Sequence, residues 1–314
     1  MKYRKLGKTG LEVSVLSFGA SSLGSVFHET EESESIRTVH EAIEAGINLI
    51  DVSPYYGLTK AETVLGKAIA QIPRNKFFLS TKAGRYGSDS FDFSGKRILA
   101  SVDESLLRLN TDYLDILFLH DIEFVPFEEV SQEAFYTLDK LKEQGKIRFA
   151  GVSGLPLRLF EKTLAHQQID AILSYCHYSL NDTSLLNIIP ILEQQQVGLV
   201  NASPLSMGLL NTRPLPDWHP ASDETKQLCK KAAQYCVDQG EDIAKLAIQY
   251  ATSNDRIPTT LVSTANPETI GKNAAWTEEP IDQALLDEVL RILEPIHNKT
   301  WPSGILEYNE GGHF

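Results

Sequence analysis

The chain has 314 residues, which is enough for two average domains or for one larger α/β domain. Hydrophobic residues make up 42% of it and charged residues 23%, which excludes a disordered, collagenous or coiled-coil chain. The formal net charge of −13 argues against binding to nucleic acid, because basic residues must displace the counterions of a phosphate backbone.

Short apolar segments alternate with amphipathic segments along the whole chain. The apolar segments are continuously hydrophobic, as strands covered on both faces are. We predict strands at Val15–Phe18, Ile47–Asp51, Phe77–Thr81, Leu114–Leu119, Ile147–Gly151, Ala171–Ser174, Gly198–Asn201 and Thr260–Ser263.

Between these strands, apolar residues recur at helical spacing. One such pattern over residues 36–43 predicts a helix that Gly46 ends. Thr59 and Glu62 have the spacing of a capping box and predict the start of the next helix.

Eight β–α units in succession favour a closed parallel barrel, the (β/α)8 or TIM barrel, as a single domain over residues 1–314. A doubly wound open sheet is the alternative. A dinucleotide-binding sheet of that kind usually carries G-x-G-x-x-G after an early strand, and the segment Gly19–Gly24 does not match it. The opening segment Tyr3–Val13 is typical of a β-hairpin, which we expect to cap the floor of the barrel.

The cysteines and the hydropathy pattern bear on metal binding and on cellular location. Cys176, Cys229 and Cys236 cannot all pair and lack metal-ligand spacing, so we expect no metal site and core positions for Cys229 and Cys236. No apolar run approaches 18 residues, and the N-terminus lacks the hydrophobic core of a signal peptide. We therefore expect a cytoplasmic protein without a membrane partner, either a monomer or a weak homo-oligomer.

Four polar side chains stand at or just after the ends of consecutive predicted strands. Asp51 ends the second strand, Tyr56 follows it, Lys82 comes directly after the third and His120 directly after the fourth. Each alone has a structural explanation, such as a helix cap for Asp51 or loop packing for Tyr56. Because the carboxyl ends of barrel strands share one rim, their coincidence favours a catalytic site.

The chemistry of these four residue types is consistent. A tyrosine phenol has a pKa near 10, and a lysine within about 4–6 Å favours the phenolate. A carboxylate such as Asp51 would hold that lysine charged, and a neutral His120 could orient a reacting oxygen. The set is suited to moving a proton on or off a carbonyl or alcohol oxygen, which is the usual companion of hydride transfer to a nicotinamide.

Asp51, Tyr56, Lys82 and His120 resemble the catalytic tetrad of the aldo-keto reductase superfamily. Nearly the whole chain shares in the resemblance, including the segments Gly151–Gly154 and Ser203–Leu210. Further segments resemble the sugar-dehydrogenase branch: Ser53–Gly57, Phe91–Ser94, His120–Phe124, Leu173–Tyr178, Trp218–Ser222 and Thr300–Gly304. The resemblance implies a (β/α)8 barrel that binds a nicotinamide dinucleotide and oxidises an aldose such as L-galactose at C1.

The resemblance also implies a set of cofactor-binding positions. They fall on Ser21, Ser153, Tyr175, Ser203, Leu205, Ser263, Thr264, Thr269 and Asn273. The sequence departs from the family where the nicotinamide is held: Gly154 replaces an Asn, Tyr175 a Gln, and Ala202 a Tyr. Tyr175 could take over part of this task or could simply pack.

The last βα loop predicts which dinucleotide is used. Relatives that prefer NADP place a Lys and an Arg around the 2′-phosphate, whereas here those positions are Ser263 and Thr269. Glu268 adds a negative charge, and Lys272 is the one cation nearby in the sequence. We therefore predict NAD rather than NADP.

For the sugar, Asp121 and His177 lie beside predicted strand ends and are candidate ligands of hydroxyl groups, together with Tyr56 and His120. A salt bridge or a hydrogen bond at the rim is an equal alternative for Asp121 and His177. Two long loops, Gly84–Ser94 and Asn211–Ser222, follow strands and are expected on the same face. Two other functions stay open: an NADP-dependent reductase of small aldehydes and ketones, and a nicotinamide-binding regulatory module without turnover.

Overall fold

The computed structural model describes residues 1–26 and 28–308, so residue 27 and residues 309–314 of the predicted domain lie outside the described part. Two short strands come first, β1 (Tyr3–Lys5) and β2 (Glu12–Ser14). The later strands are β3 (Leu16–Gly19), β4 (Leu49–Asp51), β5 (Phe78–Ala83), β6 (Leu114–His120), β7 (Ile147–Gly154), β8 (Ala171–Tyr175), β9 (Gly198–Ala202) and β10 (Thr259–Val262).

Helices alternate with these strands. They are α1 (Glu32–Glu44), α2 (Lys60–Ile69), α3 (Gly95–Leu109), α4 (Phe127–Glu129), α5 (Phe135–Glu143), α6 (Leu157–His166), α7 (Ile189–Gln195), α8 (Asp223–Asp238), α9 (Ile243–Ser253), α10 (Pro267–Trp276) and α11 (Gln283–Leu293). A π-helical turn, Val130–Ala134, connects α4 to α5.

Strands β3 to β10 close into a parallel barrel, in which each strand pairs with its neighbour in the chain and β10 pairs with both β9 and β3. The prediction of a (β/α)8 barrel is confirmed. Every predicted strand is present, and the bounds differ by at most three residues because a continuous apolar run does not mark where pairing stops.

The N-terminal hairpin lies against the floor of the barrel. Strands β1 and β2 pair antiparallel, with Tyr3 opposite Ser14. Leu6 and Val13 are fully buried and belong to the same apolar cluster as Phe118 of β6, while the Lys8 amide donates to the Gln196 carbonyl at 2.7 Å. The predicted cap is therefore present, and it closes the end of the barrel opposite the strand termini that carry polar residues.

The apolar core has an inner and an outer layer. Side chains such as Leu49 and Phe118 fill the barrel, and a larger cluster lies between the strands and the surrounding helices. Cys229 and Cys236 are buried in a third cluster beneath α8, α9 and α11, as predicted. Filling the interior with side chains leaves the carboxyl-end rim as the place for polar groups.

The capping box predicted at Thr59 and Glu62 is wrong. Thr59 makes no capping hydrogen bond. Its φ of +78° places it in the left-handed region, directly before the first turn of α2. Glu62 is fully buried, where it accepts hydrogen bonds from Thr81 at 2.6 Å and from Arg108 at 2.7 Å. A tertiary ion pair thus takes the carboxylate away from the local cap.

Gly46 does end α1, with a φ of +89° just beyond the last turn. Within residues 1–26 and 28–308, no helix has the length and apolar character needed to cross a membrane.

Candidate active site

The carboxyl ends of three adjacent strands bring Asp51, Lys82 and His120 together. Asp51 is the last residue of β4, Lys82 lies near the end of β5, and His120 is the last residue of β6. All three are buried, and Tyr56 joins them from the turn that follows β4. The structure therefore assembles the four residues that the sequence predicts.

Lys82 and Asp51 form a buried ion pair. The Lys82 ammonium donates to Asp51 Oδ1 and also to the Val52 carbonyl oxygen at 2.9 Å. Asp51 Oδ2 accepts a further hydrogen bond from Ser80 Oγ at 2.7 Å. Burial favours a neutral amine, but Asp51 and Tyr56 together outweigh burial and raise the pKa of Lys82. The lysine is therefore a fixed positive charge inside the barrel.

The turn that carries Tyr56 is held by close backbone contact. Gly57 has a φ of +61°, and a Cβ built on it would lie 2.1 Å from the Gly24 carbonyl oxygen. A residue with a Cβ would strain this backbone conformation and would clash with Gly24, so position 57 needs a glycine. This contact fixes the backbone next to Tyr56, whose ring centroid lies 4.9 Å from Lys82 Nζ.

The protonation of Tyr56 is set by two opposing effects. Burial raises the pKa of Tyr56 above its ordinary value, and the positive charge of Lys82 acts to lower it. Burial is the larger effect, so the phenol keeps its proton at neutral pH. The lysine lowers the cost of forming the phenolate without making it the resting form.

His120 is held neutral, with one ring nitrogen bound to Ser53. Its Nδ1 lies 3.0 Å from Ser53 Oγ, and the Tyr55 amide donates to that same oxygen at 3.1 Å. Ser53 thus engages Nδ1, and when it donates its own proton there the imidazole proton is on Nε2. Burial, with Lys82 and Arg85, holds the pKa of His120 well below its usual range. The imidazole is neutral and can donate from Nε2 to an oxygen.

Arg85 is a site residue that sequence reasoning missed. Its guanidinium pairs with Asp121 at 2.5 Å and lies over the Tyr55 ring, 4.0 Å from the centroid. It also lies near Phe91 and Phe124, whose rings stack at 4.8 Å. Arg85 reaches Asp121 because the loop after β5 folds over the end of β6, and no local sequence pattern indicates that contact.

Glu123 is a second residue that the sequence did not indicate. It is fully buried, and its Oε1 accepts hydrogen bonds from the Leu155 amide at 3.1 Å and from Ser303 Oγ at 2.9 Å. Burial, with a contribution from Asp121, raises the pKa of Glu123 to about 8. Its Oε2 would lie 2.6 Å from a Cβ on Gly154, so the departure from the family at that position makes room for this carboxyl group.

The two candidate sugar ligands differ in their surroundings. Asp121 lies beside His120, with its Oδ2 3.5 Å from Nε2, in addition to its pair with Arg85. His177 directs its Nδ1 to Ser184 Oγ at 2.9 Å and lies 3.4 Å from Asp182. Asp121 is therefore at the reacting end of the site, whereas the polar contacts of His177 are within its own loop.

Several predicted cofactor residues gather where β3 and β10 end side by side. Ser263 Oγ accepts hydrogen bonds from Ser21 Oγ at 2.9 Å and from the Ser22 amide at 3.0 Å. Thr264 follows directly. Asn266 caps α10 by accepting from the Thr269 amide at 2.9 Å, so the cap belongs to Asn266 and not to Ser263 or Thr269.

The other predicted cofactor residues lie elsewhere on the rim or on α10. Asn273 is buried on α10, and Ser153 pairs with His120 across β6 and β7. Tyr175 ends β8, and burial, with Asp121 and Glu123, raises its pKa well above the ordinary value. Ser203 and Leu205 are half-buried in the loop after β9, where Ser203 has a φ of +58°.

These residues fit a nucleotide bound along the rim. Ser21, Ser263, Thr264 and Thr269 offer neutral hydroxyl groups, and the N-terminus of α10 lies beside Thr264 and includes Thr269. Neutral hydroxyls and amides are the donors that ribose and pyrophosphate groups use in proteins. In the described ranges, no group of three or more His, Cys, Asp or Glu side chains is arranged to hold a metal ion.

The barrel and this buried tetrad define an oxidoreductase, and comparison with known proteins specifies the class. The model of the Aldo/keto reductase family matches residues 15–294. The chain therefore belongs to the aldo/keto reductase family, whose members use nicotinamide cofactors.

Several relatives within the family carry the names of sugar dehydrogenases. The chain is 47% identical to the L-galactose dehydrogenase of Arabidopsis thaliana, over 97% of this chain and 98% of that one. It is 39% identical to the D-arabinose 1-dehydrogenase of Saccharomyces cerevisiae, over 77% and 76% of the two chains. Among solved structures, the holo form of an aldo-keto reductase from Bacillus halodurans superposes with a TM-score of 0.79 at 27% identity, covering 99% of this chain and 100% of that one.

Proposed function

We propose that the protein oxidises an aldose at C1 to the aldonolactone with NAD, and that L-galactose is its substrate. The observation that carries this proposal is the buried Lys82–Asp51 pair beside Tyr56, with a neutral His120 on the neighbouring strand. A fixed cation, a phenol and an imidazole donor are what the removal of a proton from an alcohol oxygen needs.

The chain's own residues account for the proton. Nε2 of His120 donates a hydrogen bond to the anomeric oxygen and orients it towards Tyr56. Tyr56, as the phenolate, accepts the proton of the anomeric hydroxyl, and Lys82 stabilises that phenolate. A bound oxidised nicotinamide would supply the acceptor for the hydride that leaves C1. The cyclic sugar thereby becomes a lactone, with one hydride and one proton removed.

The pKa values of the two groups set the pH range of this reaction. Because burial keeps the Tyr56 phenol protonated, the reactive phenolate becomes more abundant as the pH rises. The lowered pKa of His120 keeps the imidazole neutral over the same range. We therefore expect sugar oxidation to become faster from neutral to alkaline pH.

The preference for NAD rests on the charge of the predicted nucleotide contacts. Ser263 and Thr269 are neutral, Ser263 is engaged by Ser21 and Ser22, and the exposed Glu268 would repel a 2′-phosphate. An Arg or Lys bound to phosphate contributes roughly 1.5–3 kcal/mol, and these positions lack that contribution.

The choice of sugar rests on the relatives. The chain is 47% identical to a protein named L-galactose dehydrogenase and 39% identical to one named D-arabinose 1-dehydrogenase. Asp121 supplies a carboxylate next to His120 that could accept hydrogen bonds from the neighbouring sugar hydroxyls.

The test is a set of initial rates of NADH formation with L-galactose, L-fucose, D-arabinose and L-gulose, repeated with NADP. We expect the highest kcat/KM for L-galactose with NAD and a rate that is at least tenfold lower with NADP. Oxidation of no sugar, together with NADPH consumption by simple aldehydes, would overturn the proposal in favour of a reductase. Tight binding of the nucleotide without turnover of either kind would point to a regulatory module.

A further inference from the structure

Asp121 lies between two groups that compete for its carboxylate. Its Oδ2 is 2.5 Å from Arg85 Nη1 and 3.5 Å from His120 Nε2. The residue has a φ of +52°, so the turn after β6 brings the carboxylate back towards the histidine that precedes it. An unpaired carboxylate at this distance would stabilise the charged imidazolium.

The nitrogen that Asp121 approaches is the one that catalysis needs. Nδ1 of His120 is engaged by Ser53, so Nε2 is left to face the reacting oxygen. A hydrogen bond from Nε2 to Asp121 would occupy the proton that should go to the substrate. The second carboxylate of the site would then act as a competitor of the anomeric oxygen.

Arg85 is held rigidly where it can prevent this. Its guanidinium lies over Tyr55 at 4.0 Å, near Phe124 at 4.9 Å and near Phe91 at 5.3 Å, and its side chain is only 14% exposed. Cation–π contacts of this kind fix a planar guanidinium and leave its N–H groups free for a carboxylate.

We propose that Arg85 is a positioning residue: by holding the Asp121 carboxylate in an ion pair, it keeps Nε2 of His120 free and the imidazole neutral. The groups that face His120 agree with this assignment. They are Tyr55 and Tyr56 from the turn after β4, Lys82 and Arg85 from β5 and its loop, and Asp121. The two cations disfavour protonation of the ring, and Asp121 is the group that would favour it.

The role of Arg85 in catalysis rests on the proposed function, but its effect on His120 can be measured without turnover. We would titrate the imidazole of His120 by NMR in the wild type and in Arg85→Gln, and assign the signal with His120→Gln. The expected result is a rise of at least one unit in the pKa of His120 in Arg85→Gln. An unchanged titration would overturn the proposal whatever the enzyme's substrate is.

The kinetic counterpart is the pH profile of sugar oxidation. In Arg85→Gln, kcat/KM should fall below the wild-type value increasingly as the pH drops below neutral and should approach it at alkaline pH, where the imidazole loses its extra proton. A loss that is equal at every pH would mean that Arg85 acts on structure alone and would contradict the proposal.

The double variant tests the same point if Arg85→Gln folds poorly. Once Asp121→Asn removes the carboxylate, only the direct charge effect of Arg85 on the ring remains, so adding Arg85→Gln should raise the pKa of His120 by less than half as much as it does in the wild type. A rise as large as in the wild type would overturn the proposal. Arg97→Gln is the matched control, since Arg97 also lies over a ring (Tyr86, at 4.1 Å) but pairs with Glu104 away from His120. It should change neither the titration nor the profile.

Discussion

The Lys82 ammonium lies 4.9 Å from the centre of the Tyr56 ring while it forms an ion pair with Asp51. A single buried cation thus connects the carboxylate at the end of β4 to the phenol in the following turn. Because Asp51 holds the lysine charged, Tyr56 has a constant positive neighbour as its proton comes and goes. This relationship links the stability of the barrel rim to its chemistry.

Replacing Tyr56 by Phe should remove most of the turnover. The phenol oxygen is the proposed proton acceptor, and general acid–base groups contribute roughly 10²–10⁴-fold to rate. We expect kcat to fall by a factor in that range. The Kd for NAD, measured by fluorescence titration, should change less than about twofold, because the ring is retained. Tyr55→Phe is the matched control in the same turn and should keep near wild-type turnover. Wild-type turnover in Tyr56→Phe would remove Tyr56 from the mechanism.

Breaking the Lys82–Asp51 pair should destabilise the fold as well as the reaction. Removing one partner of a buried pair leaves an uncompensated charge, at a cost of roughly 3–5 kcal/mol. We expect this loss in the free energy of unfolding for Asp51→Asn and for Lys82→Met, measured by urea denaturation. The double variant should lose less than the sum of the two single losses. Simple additivity would show that the pair is not coupled.

The close contact at Gly57 should be needed for both stability and turnover. Gly57→Ala adds a Cβ at 2.1 Å from the Gly24 carbonyl oxygen to the strain of a φ of +61°. We expect a loss of about 2–4 kcal/mol in unfolding free energy and a lower kcat, because the turn beside Tyr56 must shift.

Gly10→Ala is the control for that prediction. Gly10 has a φ of +72°, but a Cβ there would meet nothing within 4 Å, so the strain of the left-handed backbone is its whole cost. We expect a loss of about 1–2 kcal/mol and unchanged kcat. Equal losses in the two variants would mean that contact with Gly24 does not matter.

Glu123 should make the protein less stable as the pH rises. Its pKa is about 8 in the folded protein, against about 4.3 in an unfolded chain. The folded state therefore keeps a proton that the unfolded state has lost, so this stabilisation is complete below pH 4.3 and is lost as the pH passes through 8. The difference amounts to a few kcal/mol, or several degrees in Tm.

Glu123→Gln, which cannot ionise, tests this origin of the pH dependence. Thermal unfolding between pH 5 and pH 9 should show the wild-type Tm falling with pH and the Glu123→Gln Tm falling by less than half as much. Glu143→Gln, at an exposed glutamate on α5, is the control and should follow the wild type. If the Tm of Glu123→Gln falls with pH as much as that of the wild type, ionisation of Glu123 is not the cause of the pH dependence.

The barrel and the tetrad could be predicted from sequence because both depend on local signals. Each strand of the barrel is buried on both faces and reads as a continuous apolar run, and each tetrad residue stands at or near the end of such a run. The placement of Asp51, Lys82 and His120 on one rim then follows from the parallel topology alone. The N-terminal hairpin could be predicted for the same reason, since its turn and its apolar residues are close in sequence.

The residues that sequence reasoning missed depend on contacts between distant segments. Arg85 acquires its role from Asp121, 36 positions later, and from the rings around it. Glu123 is buried by Ser303 and Leu155, which lie 180 and 32 positions away. Glu62 had the right spacing for a helix cap, yet Arg108 and Thr81 draw its carboxylate into the core. Long-range ion pairs leave no mark in local spacing.

The most direct test of the central claim follows the hydride itself. L-galactose carrying deuterium at C1 is incubated with the enzyme and NAD, and the nucleotide product is analysed by mass spectrometry. The account predicts deuterium in the NADH, formation of the lactone in equal amount, and neither product above background with Tyr56→Phe. NADH without deuterium, or lactone formed without NADH, would contradict hydride transfer from C1.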